Sequence, residues 1–450
     1  MSTCRITTMH CPAFCDPHCR SEQGIALVVS LLALALMSLI GLTLVFVSTT
    51  EVLIGRNTRA QLSNSYWAES ACEEARNRIV GFLSDPTGPL SDSSKAVYIV
   101  STPSINPTGG TAVSNPFFDP EFHTASDFTL VPSNLNRPGF AWVRITQKTE
   151  RRAKYNLDSS SNYLSASNTN LDGPVFYGFS TVLSQPKLTQ YVNSGAHLVE
   201  CTGTPVYQLT VLVRDKDGIR FSSNSDISRI PVPPLRAALY AKGPLSISSA
   251  GVQINGQDEA GLSSPLDALE SQDTISGDLT HVNGAPTSVH PGSPFTYEMG
   301  PLCNLLRPPV TRSIEKVAPT ISRFADGTFV GDGLSLGRVP VNGDHSEAAF
   351  CDGSLTLSNS EGQGVLFVNG DFTVSGTFSY YGLIIVRGRV NLNGDSGGGV
   401  EIHGAILSYS DAGPQVSNLS GNVRIFYHSA IIQQQFNALG FARLNYRNAF

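Results

Sequence analysis

From Ile25 to Thr50 the chain carries no charged residue, and nearly every position from Ile25 to Val47 is apolar. A helix over Ile25–Val47 is roughly 35 Å long at about 1.5 Å per residue, which matches a bilayer hydrocarbon core of about 30 Å. The run is too long for the core of an ordinary secretory signal, and Phe46-Val47-Ser48 lacks the small residues of its cleavage site. Removal after the run is therefore not expected. No proline occurs between Pro17 and Pro86, and beyond Val47 the pattern changes: Leu62, Tyr66, Cys72, Ala75 and Ile79 form an apolar stripe against a polar remainder. One continuous helix from Ile25 to about Leu83 is predicted, roughly 90 Å long, with a first half suited to lipid and a second half suited to packing.

After the helix the period shortens. Pro86 through Pro138 is rich in Ser, Pro, Thr, Asn and Gly and reads as long loops, whereas Phe140–Thr146 and Val206–Arg214 alternate between apolar and polar as strands do. Asp215-Lys216-Asp217-Gly218 opens like a calcium loop but lacks the later acidic ligands, so a hairpin turn is expected. Pro231-Val232-Pro233-Pro234 removes three backbone donors in four residues and marks a domain boundary.

From Val365 the sequence divides into five hexads ending at Gly370, Gly376, Gly382, Gly388 and Gly394, each with apolar residues second and fourth: Leu366 and Val368, Phe372 and Val374, Phe378 and Tyr380, Ile384 and Val386, Val390 and Leu392. Alternating apolar pairs share one strand face, and a closing Gly accepts the positive φ of a corner. The pattern returns at Gly399–Gly404 and Gly251–Gly256, with residues 258–352 as a long excursion. Stacked strand-and-corner units make a β-solenoid; a meander of hairpins is the rival arrangement. The fold class expected is α+β: a long N-terminal transmembrane helix, a β-sheet head and a C-terminal β-rich, solenoid-like region.

Composition agrees: 41% hydrophobic and 15% charged residues with 41 Gly and 27 Pro suit a β-rich exported protein better than a helical cytosolic enzyme. A net charge of −6 gives no whole-chain attraction to nucleic acid. The sequence contains no His-Glu-x-x-His, phosphate loop or Cys-x-x-Cys. Gly333–Gly337 matches Gly-x-Ser-x-Gly, but Pro340 opposes the helix that such an elbow needs. Glu401 and His403 share an outward strand face and are read as surface residues. Asp258, Glu259, Asp267, Glu270 and Asp273 are read as solvated loop charge before a calcium site. The leader cysteines Cys4, Cys11, Cys15 and Cys19, with His10 and His18, fit no zinc spacing. No catalytic residue, metal or cofactor is expected.

Arg20-Ser21-Glu22-Gln23-Gly24 running into Ile25-Ala26-Leu27-Val28 resembles the prepilin junction, and the resemblance narrows beyond it. Ser48-Thr49-Thr50-Glu51, Gly55-Arg56-Asn57 and Tyr66-Trp67-Ala68-Glu69-Ser70-Ala71, with Glu73-Glu74-Ala75, are similar to the N-terminal domain of PilX-type minor pilins over roughly residues 20–80. The resemblance implies cleavage by prepilin peptidase between Gly24 and Ile25, methylation of the new Ile25 amine, and a helix that is first an inner-membrane anchor and later filament core. Val29, Gly41, Glu51, Tyr66 and Glu69 mark that helix; Val29 stands where major pilins carry a glutamate, as in subunits at or near a filament tip. Other major and minor pilins, prepilin peptidase and inner-membrane lipid are the implied partners, with the pilus or cell surface as destination.

The division that follows is a leader (1–24), a transmembrane and filament-core helix (25–84), a pilin-like β domain (85–235) and a Gly-rich β-repeat domain (236–450). Cleavage leaves Cys72, Cys201, Cys303 and Cys351, enough for two disulfides in an oxidising compartment with three pairings open; Cys303–Cys351 is the first expected. A second function class, a single-span anchored surface protein that binds or processes glycans, shares every feature except the Gly24 junction and the long helix.

Overall fold

The computed structural model describes residues 19–83, 89–101, 106–111, 114–115, 117–122, 124, 126–135, 140–149, 174–179, 188–192, 202–214, 220–294, 299–308, 310–336, 348–409 and 415–449. They belong to two compact units, Met1–Ser65 and Tyr66–Phe450. The fold is α+β, with one long apolar N-terminal helix and a large β-rich C-terminal region.

Helix α1 (Cys19–Leu83) forms most of the first unit and enters the second. Its start at Cys19 places the Gly24–Ile25 bond inside the helix, not at its first turn. Every side chain from Ile25 to Val47 is exposed, so none of the described residues covers this apolar surface.

In the second unit a six-stranded sheet has the order β2, β1, β3, β7, β8 and the C-terminal strand Phe441–Ala449, where β1 is Ala96–Val100, β2 Phe128–Pro132, β3 Phe140–Gln147, β7 Tyr207–Arg214 and β8 Arg220–Arg229. Three further strands, β4 (Val175–Phe179), β5 (Leu188–Val192) and β6 (Thr202–Pro205), form a small antiparallel sheet. β7 and β8 pair antiparallel as the alternation predicts, while the Asp215–Gly218 turn lies outside the described residues. β1 and β2 fall where loops are expected. Ala96-Val97-Tyr98-Ile99-Val100 does not alternate because both of its sides are covered: Val97 and Ile99 face α1, Ala96, Tyr98 and Val100 a second cluster with Trp142 and Phe122.

The larger sheet has 18 strands, paired almost entirely in parallel, which excludes a meander of hairpins. Phe372 pairs with Val390 and Phe367 with Ile385, a step of 18 residues, or three hexads. Three ladders result. The first runs through Phe329–Asp332, the start of Leu355–Val368, the start of Phe372–Val386, Val390–Gly394, Ser417–Gly421, Leu245–Ile247 and Ile275–Gly277. The second includes Tyr380, Ile402, Ile425, Ile254 and Val282 on its inner side. The third stacks Leu366, Ile384, Ile406, Leu239, Leu269 and Val289. First- and second-ladder strands alternate in burial, as in Val252–Asn255 and Val390–Gly394. Third-ladder strands read as unbroken apolar runs, Val365–Val368 and Leu383–Val386, because their outer side is also covered, by the helix Ser429–Ala438 with Ile432 and Phe436, in a cluster that Leu302, Leu306, Phe179 and Ile230 share.

Two corner glycines show what the hexad ending is for. Gly382 has φ +143°, and a Cβ there would lie 1.9 Å from the Gly364 carbonyl oxygen of the adjacent tier. Gly394 lacks a positive φ, yet its Cβ would meet the Asn422 carbonyl oxygen at 1.8 Å, so close approach of stacked corners, as well as φ, selects glycine. Two expectations need correction. The supposed excursion over 258–352 is largely continuous with the ladders, since Asp267–Ser271, Ile275–Gly277, Val282–Asn283 and Val289–His290 all pair within them. The final strand Phe441–Ala449 leaves the 236–450 domain and closes the first sheet beside β8, because Phe441 completes the core under α1.

Candidate functional site: the N-terminal helix and its seat

The residues expected to mark the membrane and assembly helix all lie on α1. Ile25 and Val29 are 64% and 62% exposed, Gly41 has nothing within 4 Å of where a Cβ would stand, and Glu51 faces solvent. Polar groups on the apolar stretch are satisfied by the helix itself: the Ser30, Thr43 and Thr50 hydroxyls donate to the carbonyl oxygens of Leu27, Ile40 and Phe46. That suits a segment leaving water, where no solvent replaces a missing partner. An exposed apolar surface of this extent calls for lipid or other chains.

The second half of the helix is seated on the first sheet. Ala68, Ala71, Cys72, Ala75 and Ile79 are at most 1% exposed and pack on Val97, Ile99, Val143, Ile145, Leu209 and Val211. The expected stripe is right at Cys72, Ala75 and Ile79 but wrong at Leu62 and Tyr66, which are 54% and 70% exposed. Six residues separate Tyr66 from Cys72, about 240° of helix rotation, so the two cannot share a face. Small residues make the seat, letting the helix axis approach the sheet closely.

Around this contact the acidic residues of the Glu69–Ala75 signature grip two segments, Glu69 and Glu73 the C-terminal strand and Glu74 the turn after β2. Glu69 accepts from Arg443 Nη1 at 3.0 Å, and Glu73 meets Arg443 Nη2 at 3.3 Å and Arg76 Nη2 at 2.5 Å. Arg76 donates through Nη1 to the Phe441 carbonyl oxygen at 3.0 Å, tying the helix to the C-terminal strand. Glu74 accepts from Ser133 Oγ and the Asn134 N–H, and Arg78 donates to the Pro132 carbonyl oxygen at 2.7 Å. Arg443 is 374 residues from Glu69 in sequence, and no local pattern announces it.

The other candidates separate. Cys72, Cys303 and Cys351 are buried thiols and form no disulfide; Cys201 lies outside the described residues. The expected Cys303–Cys351 bridge is not made: Cys303 Sγ meets the Tyr409 hydroxyl at 2.6 Å, and Cys351 Sγ turns to the Gly353 carbonyl oxygen. Burial pushes the Cys351 thiol up to about 12. Asp258, Asp267 and Glu270 are neither a cation cage nor solvated charge. Asp258 accepts from the Ser429, Ser263 and Leu262 N–H groups, Asp267 from Thr287, and the fully buried Glu270 meets Arg236 and Ser293. Among the described residues no group of His, Cys, Asp and Glu is arranged to hold a metal ion. Ser335 lies in a short parallel strand and the positive φ belongs to Gly333, unlike the strained serine of a nucleophile elbow; Gly337 lies outside the described residues.

A lone apolar helix exposed at one end and seated by small residues on a β head defines a pilin-like, membrane-anchored protein. Residues 23–73 match the family model described as PilX N-terminal, so the chain carries a PilX-type minor-pilin N-terminus. Among solved structures the competence-associated pilin ComZ from Thermus thermophilus is similar at 10% identity, covering 86% of this chain and 97% of that one, with a TM-score of 0.16, too low to argue from. No curated protein matches the sequence.

Proposed function

We propose that the chain is a minor subunit of a type IV pilus or related filament, processed by prepilin peptidase after Gly24 and N-methylated at Ile25. The observation that carries this reading is α1 itself: a stretch of uncovered apolar surface in the same helix as an alanine-lined face built into a folded head. The helix first anchors the subunit in the inner membrane as a single span, then packs among the helices of other pilins. Val29 lacks the carboxylate that would pair with a neighbouring amine, which favours membrane entry and a place at or near the tip, where the subunit primes assembly or presents an adhesive surface. Because Gly24 lies within the helix, cleavage requires the turn from Arg20 to Gly24 to unwind in the peptidase.

The exposed part is read as a head over residues 85–235, closed by the C-terminal strand, that carries a β-solenoid of three strands per turn. The 18-residue register and the three parallel ladders support that architecture. Mass spectrometry of the mature N-terminus from the membrane fraction tests the function. N-methylated Ile25 is expected; an intact Met1 or Met9 overturns filament processing. Immunogold labelling along purified filaments then separates a tip position from an evenly spaced one.

A further inference from the structure

On the outward side of the second ladder, Ser335, Glu361, Ser379 and Glu401 stand in register on successive strands. Neighbouring strands are about 4.8 Å apart, so hydroxyl, carboxylate, hydroxyl and carboxylate recur at a step close to the length of one sugar residue in an extended glycan. With Asn359 and Thr377 these residues line a hollow of about 370 Å³, a size that suits a small ligand. Ser335, Glu361 and Ser379 make no side-chain hydrogen bond or ion pair with the described residues. Glu401 is oriented by His403 Nε2 at 3.1 Å and lies 4.0 Å from Arg424.

Two independent features lie beside this row. Tyr381, two residues beyond Ser379 on the same side, is 42% exposed, with its ring backed by His403 at 4.7 Å in a parallel stack that continues to Phe426. Gln363, in register with Tyr381, is only 8% exposed, and its Nε2 has no acceptor among the described residues. A ring next to amides, hydroxyls and carboxylates is chemistry for a polyhydroxylated molecule: carboxylates take charge-assisted hydrogen bonds from hydroxyls, and the ring meets the C–H faces of a sugar.

Charge narrows the class. The hollow is lined by two carboxylates and no Lys, Arg or His, which repels an acidic polymer. Glu361 and Glu401 sit two ladder steps apart, on the order of 10 Å between backbones, and among the described residues they belong to no group of three or more His, Cys, Asp or Glu that could hold a metal ion. We propose that this row binds an extended neutral glycan lying across the strands, independently of whether the chain enters a filament.

The test uses the full-length protein in detergent micelles on an array of chitin-, cellulose-, mannan- and galactan-derived oligosaccharides, with polygalacturonate as the acidic counterpart. Retention on at least one neutral glycan is expected, with a tenfold or greater loss in Glu361→Ala and in Ser379→Phe, which fills the hollow. The isosteric Glu361→Gln, which keeps the packing and removes the charge, should lose severalfold. Absence of binding to every neutral glycan, equal retention by these variants, or preference for polygalacturonate overturns the proposal.

Discussion

Asp258 shows how much one side chain can hold. Burial alone would raise its carboxyl pKa, but hydrogen bonds from the N–H and hydroxyl of Ser429 and from the Ser263 and Leu262 N–H groups outweigh it and hold the group well below its ordinary value of 3.8. Its folded pKa is depressed, so its contribution to stability is complete above the unfolded value and is lost as pH falls through the acid range. Asp258→Asn should cost about 2 kcal/mol at pH 7 by weakening hydrogen bonds to a charged acceptor. The gap between variant and wild type in urea midpoint should narrow as pH is lowered from 5 towards 2. Titration of both proteins by fluorescence-detected unfolding checks the sign.

For α1, packing and charge make separable contributions. The arginine clamp is partly exposed, with Glu69 and Glu73 side chains 54% and 39% accessible. Arg443→Ala is accordingly expected to cost no more than about 1 kcal/mol. Ala75 is fully buried against the sheet, and Ala75→Leu should cost about 1–3 kcal/mol by forcing helix and sheet apart. Denaturant unfolding of the two variants side by side distinguishes a seat made by close packing from one made by ion pairs. The same contrast explains what the sequence could disclose. The apolar run, the acidic signature and the glycine-closed hexads are local regularities, so helix and repeat were legible from spacing alone. The burial of Ala96–Val100 on both sides was not, because it depends on which layer arrives from elsewhere. Nor was the partnership of Glu69 with Arg443, whose two halves meet only when the last strand returns. In the candidate hollow, Glu401 was legible only as a surface residue and Glu361 not at all, because their alignment rests on a register that the four residues 395–398, added between hexads, disguise.

At the scale of the molecule, the repeat region is an insertion between two adjacent strands. β8 ends at Arg229, which pairs with Phe441 at the start of the last strand, and everything between leaves and returns at that point. Replacing residues 231–439 by a short turn, which adjacent antiparallel strands accept, should leave the first sheet and the seat of α1 intact. A membrane-inserted product with a protease-resistant core of correspondingly smaller mass is the expected result; wholesale proteolysis would show that the first sheet relies on the insertion.

Within the ladders the same arrangement repeats at a finer grain. Ala237–Ala241, where the chain enters, lies in the tier completed by Ser417–Gly421 and Val423–Phe426, where it leaves, between tiers built from both later and earlier sequence. A pull on the repeat region therefore reaches the first sheet along two covalent threads fastened to one interior tier. Neither outermost tier is a free end from which the stack could be peeled, so a tethered load is shared across its middle and the stack resists unravelling coil by coil.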